Sequence, residues 1–174
     1  TLKIAEFERA GIEMKTIQIG SNGSPEQHMS FPAFRYKGEE SILTEDWDSV
    51  EVDLETDEDN AERGDMPKIK RTLEERRFLF VVFKREDATQ KLSHVRFWSM
   101  RKDEIESYVR PVWQQTHDLI SVGVFDRFPK TSFNEICHVR PHGNTGEVFP
   151  TLRNGDQPKK SFWLDKRYIQ AQIV

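Results

Sequence analysis

An unbroken apolar run at residues 77–84 constrains the fold of this chain more than any other segment. It consists of Arg-Phe-Leu-Phe-Val-Val-Phe-Lys, and its length is that of a strand. A strand whose successive side chains are all apolar is typical of the centre of a sheet that is covered on both faces. The run therefore predicts a central strand that is buried on both faces.

Other segments are predicted to be ordered around this strand. Residues 12–19 alternate between apolar and polar side chains and are followed by the turn-forming residues 20–25, so we predict a strand there. Residues 94–98 are expected to form a hairpin with the central strand. Residues 138–140 and 162–169 are the last ordered elements that the pattern predicts.

One long helix is predicted at residues 103–120, where apolar side chains recur at helical spacing. Asp103 is the expected N-cap, and Gly123 is expected to end the helix. Pro111 should kink or split it, because proline has no backbone N–H to donate. Strands combined with a long helix predict a mixed α/β domain with a short central sheet.

The charge of the chain is unevenly distributed. The formal net charge is -4, yet residues 45–62 contain ten acids and no Lys or Arg, which leaves about +6 on the rest. We expect this acid-rich segment to begin as an edge element, to continue as a solvated loop, and to lie away from a DNA cleft or overhang it. The acidic net charge of the whole chain argues against nucleic-acid binding. The chain outside residues 45–62, however, is basic enough to bind phosphate.

Composition excludes several classes of protein. No apolar run is long enough to form a membrane-spanning helix. The single cysteine, Cys137, cannot form an intramolecular disulfide, which indicates a reducing compartment and a cytoplasmic protein. The length fits one domain covering residues 1–174, and the start at Thr1 leads us to expect a fragment of a longer chain.

Glu13 and Lys15 form a candidate catalytic pair, because they project from the same face of the predicted strand about 7 Å apart. With Glu6 as a second acid, they match the residue types of a Mg²⁺-dependent phosphodiester hydrolase. The carboxylates would hold Mg²⁺, and the lysine would orient a water molecule. The spacing by itself arises readily by chance in a chain this rich in acids and lysines, so on the pattern alone a solvated strand face is the favoured alternative.

Longer motifs that surround this pair resemble the MutH family. That family comprises the mismatch-repair nicking endonuclease and the related type II restriction enzymes that cut at GATC. The resemblance spans nearly the whole chain. In chain order the matching segments are Glu6-Phe7-Glu8-Arg9-Ala10-Gly11-Ile12-Glu13-Met14-Lys15-Thr16-Ile17, His28-Met29-Ser30-Phe31-Pro32-Ala33-Phe34, Phe78-Leu79-Phe80-Val81-Val82-Phe83, His138-Val139-Arg140-Pro141-His142 and Lys159-Lys160-Ser161-Phe162-Trp163-Leu164, followed by Tyr168.

The resemblance implies a restriction-endonuclease-like fold, with a central mixed sheet flanked by helices and a DNA cleft between two lobes. The catalytic Asp, Glu and Lys of the family fall on Glu6, Glu13 and Lys15, and Mg²⁺ would be held by Glu6 and Glu13. Glu6 departs from the family, whose active members have Asp there. The extra methylene moves the carboxylate by about 1.5 Å, and a misplacement of about 1 Å can cost roughly 100-fold in rate.

The resemblance also implies a division of labour. The longer GATC enzymes resemble two such domains in tandem, of which the first cuts DNA and the second binds a further copy of the site. Glu6 and the Met-Ser-Phe-Pro motif at residues 29–32 favour the second. We therefore predict an allosteric effector domain of a type II restriction endonuclease that binds duplex DNA at GATC, with an N-terminal catalytic domain of the same chain as its partner. The alternatives are an active Mg²⁺-dependent endonuclease and a protein-interaction module without DNA contact.

Residues 138–168 are the predicted DNA-binding part of the chain, because this segment contains six Lys or Arg and only three acids. Arg140 is a candidate for a bidentate guanine contact, although an ion pair fits it equally. Phe162 and Trp163 are predicted to be core residues. The predicted DNA-binding side chains are Arg140, His142, Arg153, Lys159 and Lys160.

The histidines and the cysteine do not show a spacing that indicates a metal site. Cys137, His138 and His142 are clustered, but no second Cys or His pair has zinc-ligand spacing, so we expect no zinc site there. His28 and His117 are interpreted as ordinary loop and helix-surface histidines.

Overall fold

The computed structural model describes residues 5–49, 64–86 and 89–174. The strands are β1 (Ile12–Ile19), β2 (Met29–Phe34), β3 (Arg77–Glu86), β4 (Thr89–Trp98), β5 (Cys137–Pro141), β6 (Val148–Pro150), β7 (Asp156–Pro158) and β8 (Lys160–Leu164). The helices are α1 (Ala5–Arg9), α2 (Lys68–Glu75), α3 (Lys102–Glu104), α4 (Arg110–Ser121) and α5 (Lys166–Ile173), with a 3-10 turn at Ile42–Thr44 and a π-helical turn at Ile105–Val109.

The first sheet has the order β1-β3-β4, with β1 parallel and β4 antiparallel to β3. The predicted central position of β3 is therefore confirmed. The predicted burial on both faces is wrong for one face. Phe78, Phe80 and Val82 have no exposed surface, whereas the alternate residues of β3 are only partly buried and pair with exposed Val95 and Phe97 of β4.

The second sheet is antiparallel, with the order β2-β8-β5, and β6 and β7 form a separate hairpin. Phe162 on β8 is in the core at 4% exposure, as predicted. The core prediction for Trp163 is wrong, because consecutive strand residues point to opposite faces and Trp163 is only partly buried. Its face also carries His138 and Arg140, which pair in register with Trp163 and Ser161.

The long predicted helix is present but interrupted. Its first residue is Lys102, and Arg101, not Asp103, is the N-cap, with its N–H donating to the Glu104 carboxylate at 3.4 Å. Pro111 lies in the first turn of α4, directly after the π-helical turn, so the predicted interruption is confirmed. Gly123 ends the helix with a φ of 79°, as predicted, because an L-residue other than glycine rarely adopts that conformation.

The beginning of the acid-rich segment packs against α4. Glu45 accepts a hydrogen bond from Trp113 Nε1 at 2.8 Å, and Asp48 forms an ion pair with Arg110 at 2.8 Å. Burial raises the pKa of Glu45, and the Trp113 bond opposes that rise. The remainder of the segment, residues 50–62, lies outside the described residues.

The mixed sheet and the helices beside it confirm the predicted mixed α/β class, and they are compatible with a restriction-endonuclease-like fold. The two sheets contact each other where the Lys15 ammonium donates to the backbone oxygen of Ser30. The DNA cleft between two lobes stays a prediction. In the described part of the chain, no helix combines the length and apolar character that a membrane crossing requires.

Candidate nucleic-acid interface

Glu13 and Lys15 lie together on the inner face of the first sheet. They pair in register with the buried Phe78 and Phe80 of β3, which fixes the direction of both side chains. The Lys15 Nζ atom lies 2.8 Å from a Glu13 carboxylate oxygen and 3.3 Å from the Ser30 backbone oxygen. The two side chains are 33% and 24% exposed, so the ion pair is reachable from solvent.

Glu6 is not joined to this pair. It lies exposed on the five-residue helix α1, and no hydrogen bond or ion pair between described residues connects it to Glu13 or Lys15. Mg²⁺ requires several oxygen ligands at about 2.0–2.1 Å, and the Glu13 carboxylate is already engaged by Lys15. The structure therefore brings two of the three predicted catalytic residues together, and Mg²⁺ binding by Glu6 and Glu13 stays a prediction.

One cavity adjoins Lys15, and a second cavity shares His28 with the first. The first, of about 320 Å³, is lined by Lys15, His28 and Ser30 among others. The second, of about 450 Å³, is lined by His28 and His138 together with three basic side chains, Lys130, Arg140 and Lys160. We call the surface formed by Lys15, His28, Lys130, Arg140 and Lys160 the basic seam. His28 belongs to both cavities and makes the seam continuous.

The three cations of the larger cavity are not neutralised by ion pairs within residues 5–49, 64–86 and 89–174. One acid, Asp126, also lines this cavity, and its carboxylate lies 3.9 Å from Arg127. Burial lowers the pKa of Lys160, because the surrounding protein removes part of the hydration of its ammonium. Arg140 lies over the Trp163 ring, 5.8 Å from its centroid, an arrangement that limits the motion of the guanidinium.

The other predicted DNA-binding residues have different surroundings. Lys159 forms an ion pair with Glu147 at 2.8 Å, so a phosphate would have to displace that carboxylate. His142 hydrogen-bonds through Nδ1 to the Ser161 hydroxyl at 3.0 Å. Arg153 lines a separate cavity of about 270 Å³. The structure thus brings Arg140 and Lys160 together and places Arg153 and Lys159 outside the basic seam.

Sequence interpretation missed the role of His28, which is not an ordinary loop histidine. Its Nδ1 accepts the backbone N–H of Lys166 at 3.1 Å, and its ring lies edge-on to His138 with 4.8 Å between centroids. His138 has no exposed surface, and neither of its ring nitrogens has a hydrogen-bond partner. Burial and the neighbouring His28 lower the pKa of His138 to about 4, so the ring is neutral at pH 7.

Asp165 is a second residue that sequence interpretation missed, and it caps α5 with its side chain and is 2% exposed. Ligand atoms of His28, His138 and Asp165 all lie within 4.8 Å of one another. Burial raises the pKa of Asp165, but the hydrogen bonds from Arg167 outweigh it and hold the pKa below its ordinary value. One sequence signal could have indicated this site. His138 and Arg140 are two residues apart on a strand, so they lie on one face and mark that face as polar.

Cys137 lies on the opposite face of β5 from His138, within the core. It is a free thiol with 1% exposure, and burial raises its pKa to about 12. A thiol that stays protonated is a poor nucleophile. The alternation of strand residues also directs Cys137 away from His138 and His142, so these three do not form one ligand set.

The chain is similar to a known restriction enzyme. It is 26% identical to the type II restriction enzyme Sau3AI of Staphylococcus aureus over an alignment of 208 residues, which covers 98% of this chain and 40% of that enzyme. The chain thus spans about two fifths of the length of the curated relative that it matches. No family model matches the chain. The similarity to Sau3AI supports a relationship between this chain and restriction endonucleases.

Proposed function

We propose that this chain binds duplex DNA through the basic seam, as one domain of a type II restriction endonuclease. The observation that carries the proposal is the set of three cations, Lys130, Arg140 and Lys160, that line one cavity without an ion pair among the described residues. Cations without a carboxylate partner are free to release counterions and to bind phosphate. The similarity to a type II restriction enzyme along 98% of the chain supports DNA as the partner.

The position of Arg140 supports contact with DNA in particular. A guanidinium held over an aromatic ring loses little conformational entropy when it forms two parallel hydrogen bonds. Two such bonds match either a phosphate or the major-groove edge of guanine. Since Lys15 lies at the far end of the same seam, the DNA backbone could pass from Arg140 towards the Glu13–Lys15 pair.

We further propose that the bound sequence is GATC and that the domain acts as an allosteric effector of an N-terminal catalytic domain in the same chain. The GATC proposal rests on the resemblance to the MutH family. The effector proposal rests on Glu6, which is a residue longer by one methylene than the family Asp and is not joined to Glu13 or Lys15. Sau3AI is much longer than this chain, which leaves room in such an enzyme for a separate cutting domain.

Binding of a GATC duplex, measured by gel shift, tests the proposal. The double variant Arg140→Ala/Lys160→Ala is expected to weaken binding at least about tenfold, since a good side-chain contact to DNA contributes about 1–3 kcal/mol. The matched control is Lys91→Ala, because Lys91 is an exposed cation paired with Glu86 and lies outside the seam.

Unchanged affinity of the double variant would show that the basic seam is not the DNA interface. A scrambled duplex that binds as tightly as the GATC duplex would overturn the GATC proposal alone. Binding that is indifferent to both the sequence and the salt concentration would favour the protein-interaction alternative.

An active Mg²⁺-dependent endonuclease is the second candidate, and the placement of Glu13 and Lys15 on one solvent-accessible face of β1 favours it. Under the effector proposal, neither wild type nor Lys15→Ala nicks a GATC-containing plasmid when Mg²⁺ is added, and Glu6→Asp is the variant most expected to gain activity. Nicking by wild type that Lys15→Ala abolishes would establish the second candidate instead. The measurement is the conversion of supercoiled plasmid to nicked and linear forms.

A further inference from the structure

We propose that His28, His138 and Asp165 form a binding site for a transition-metal ion of the Zn²⁺ class. Their ligand atoms lie within 4.8 Å of one another, and the site is shielded, since His138 and Asp165 are 0% and 2% exposed. Two imidazoles and one carboxylate suit Zn²⁺, Fe²⁺ or Mn²⁺, whereas Mg²⁺ prefers oxygen ligands alone. The site is thus distinct in chemistry from the Glu13–Lys15 pair.

The first argument is the state of the His138 ring. Both of its nitrogens are buried, and neither has a hydrogen-bond partner. Buried polar atoms in folded proteins are nearly always satisfied, so an imidazole without any partner requires an explanation. A metal ion bound to one of the two nitrogens supplies the missing partner.

The second argument is the orientation of Asp165. Its Oδ1 atom accepts hydrogen bonds from the Arg167 backbone N–H at 2.8 Å and from Arg167 Nε at 3.1 Å. These bonds leave Oδ2 directed towards His28, 3.7 Å from Nδ1. Two ligand atoms of a tetrahedral Zn²⁺ lie about 3.3–3.4 Å apart when each bond is about 2.0–2.1 Å. The His28–Asp165 pair is thus within a few tenths of an ångström of this spacing. The widest pair of ligand atoms, up to 4.8 Å apart, closes by roughly 1.4 Å when the ion binds.

The third argument is the way the fold assembles the three ligands. His28 directly precedes β2, His138 lies on β5, and Asp165 directly follows β8. β8 lies between β2 and β5 and is antiparallel to both. The end of β8 therefore lies beside the starts of β2 and β5, which places all three residues at the same end of the second sheet. His28 and His138 also line the larger cavity, so a water molecule can reach an open coordination position from there.

Metal binding at His28 Nδ1 competes with one hydrogen bond. This atom accepts the backbone N–H of Lys166, the first residue of α5. Lys166 is exposed, so water can satisfy that N–H when the metal takes its place. The site therefore exchanges a helix-capping contact for a metal bond.

Metal binding by the intact chain tests the proposal. Wild type and His28→Gln are first dialysed against a chelator, then loaded with Zn²⁺ or Co²⁺ and passed over a desalting column. We expect wild type to retain about one metal ion per chain and to show the visible absorption of Co²⁺ bound by nitrogen ligands. His28→Gln is expected to bind at least roughly 100-fold more weakly, since even loss of an outer-shell partner costs about 10–100-fold.

The variants are chosen so that misfolding cannot imitate the result. His138→Ala empties a buried position and can fail to fold, whereas His28 is 16% exposed and glutamine keeps an acceptor for the Lys166 N–H. His142→Gln is the matched control, because its hydrogen bond to Ser161 lies outside the ligand set. Circular dichroism verifies that each variant is folded.

Two results would overturn the proposal. One is wild type that retains no metal after loading, and the other is His28→Gln that binds as tightly as wild type. Equal loss of binding in His142→Gln would also overturn it, because it would show adsorption to surface histidines. Retention of Zn²⁺ by wild type in an excess of Mg²⁺ is the expected outcome for a nitrogen-containing site.

Discussion

Phe80→Ala is expected to lower the free energy of unfolding by about 3–5 kcal/mol, the range for removal of a buried phenylalanine ring. Phe80 has no exposed surface and lies on the central strand of the first sheet. Its ring stacks on Trp98 with 5.3 Å between centroids and contacts Phe78 at 6.4 Å. Because both neighbours lie on strands of the same sheet, little can move to fill the cavity that the substitution leaves. The measurement is the urea-unfolding midpoint.

The same substitution has a local consequence for the candidate catalytic pair. Phe80 pairs in register with Lys15, so the substitution also removes the ring that lies beside Lys15 on the neighbouring strand. Phe133→Ala is the matched control, because Phe133 is 45% exposed and should cost less than about 1 kcal/mol. Equal losses for the two variants would mean that the first sheet does not hold the main core.

DNA affinity is expected to fall roughly 100-fold when the salt concentration rises from 50 to 200 mM. Three to four cations of the basic seam would each displace about 0.9 counterion from duplex DNA, which gives a log–log slope of about -3 to -4. The larger cavity contributes Lys130, Arg140 and Lys160, and the smaller one contributes Lys15, which Glu13 partly neutralises. Fluorescence anisotropy of a labelled GATC duplex at several salt concentrations gives the slope.

Single substitutions separate phosphate contacts from base contacts in this experiment. Lys130→Ala is expected to reduce the slope by about 1 and to weaken GATC and scrambled duplexes equally. Lys91→Ala, outside the seam, should leave the slope unchanged. A wild-type slope near zero would contradict phosphate binding by the seam and, with it, the proposed function.

Local periodicity predicted the long helix and the strands of the first sheet, although only residues 94–98 of β4 (Thr89–Trp98) and none of the strand directions. The alternation of residues 12–19 gives β1 with its observed bounds, and the apolar run at residues 77–84 gives β3. The interruption at Pro111 and the end at Gly123 follow from the residue types alone, because proline lacks a backbone N–H and glycine adopts a positive φ readily. Strand periodicity also placed Glu13 and Lys15 on one face, where the structure joins them.

The second sheet was harder to predict because its signals are short or contradictory. β2 contains Pro32 and has an irregular register with β8, and neither feature is typical of a regular strand. The helix α2 was not predicted, although Ile69 and Leu73 are both buried and lie at helical spacing. Its eight residues form too short a window for that pattern to stand out.

The surroundings of His28 could not be predicted from local pattern at all. Its contacts come from β5 and from the start of α5, segments that are distant along the chain and meet only through the order of the second sheet. Likewise, Lys130 stood outside the predicted DNA-binding residues because a loop has no periodicity that fixes its direction. Both residues can be assigned to the site only from the three-dimensional structure.

Because Cys137 is buried, the rate at which its thiol is modified reports local opening of the second sheet. Since it is the single cysteine of the chain and a protonated core thiol, a thiol reagent can modify it only after β5 separates locally from its neighbours. The modification rate therefore reports how often this sheet opens, without any engineered label. His138, the next residue of β5, lines the larger cavity, so a ligand that binds there and stabilises β5 is expected to slow this modification.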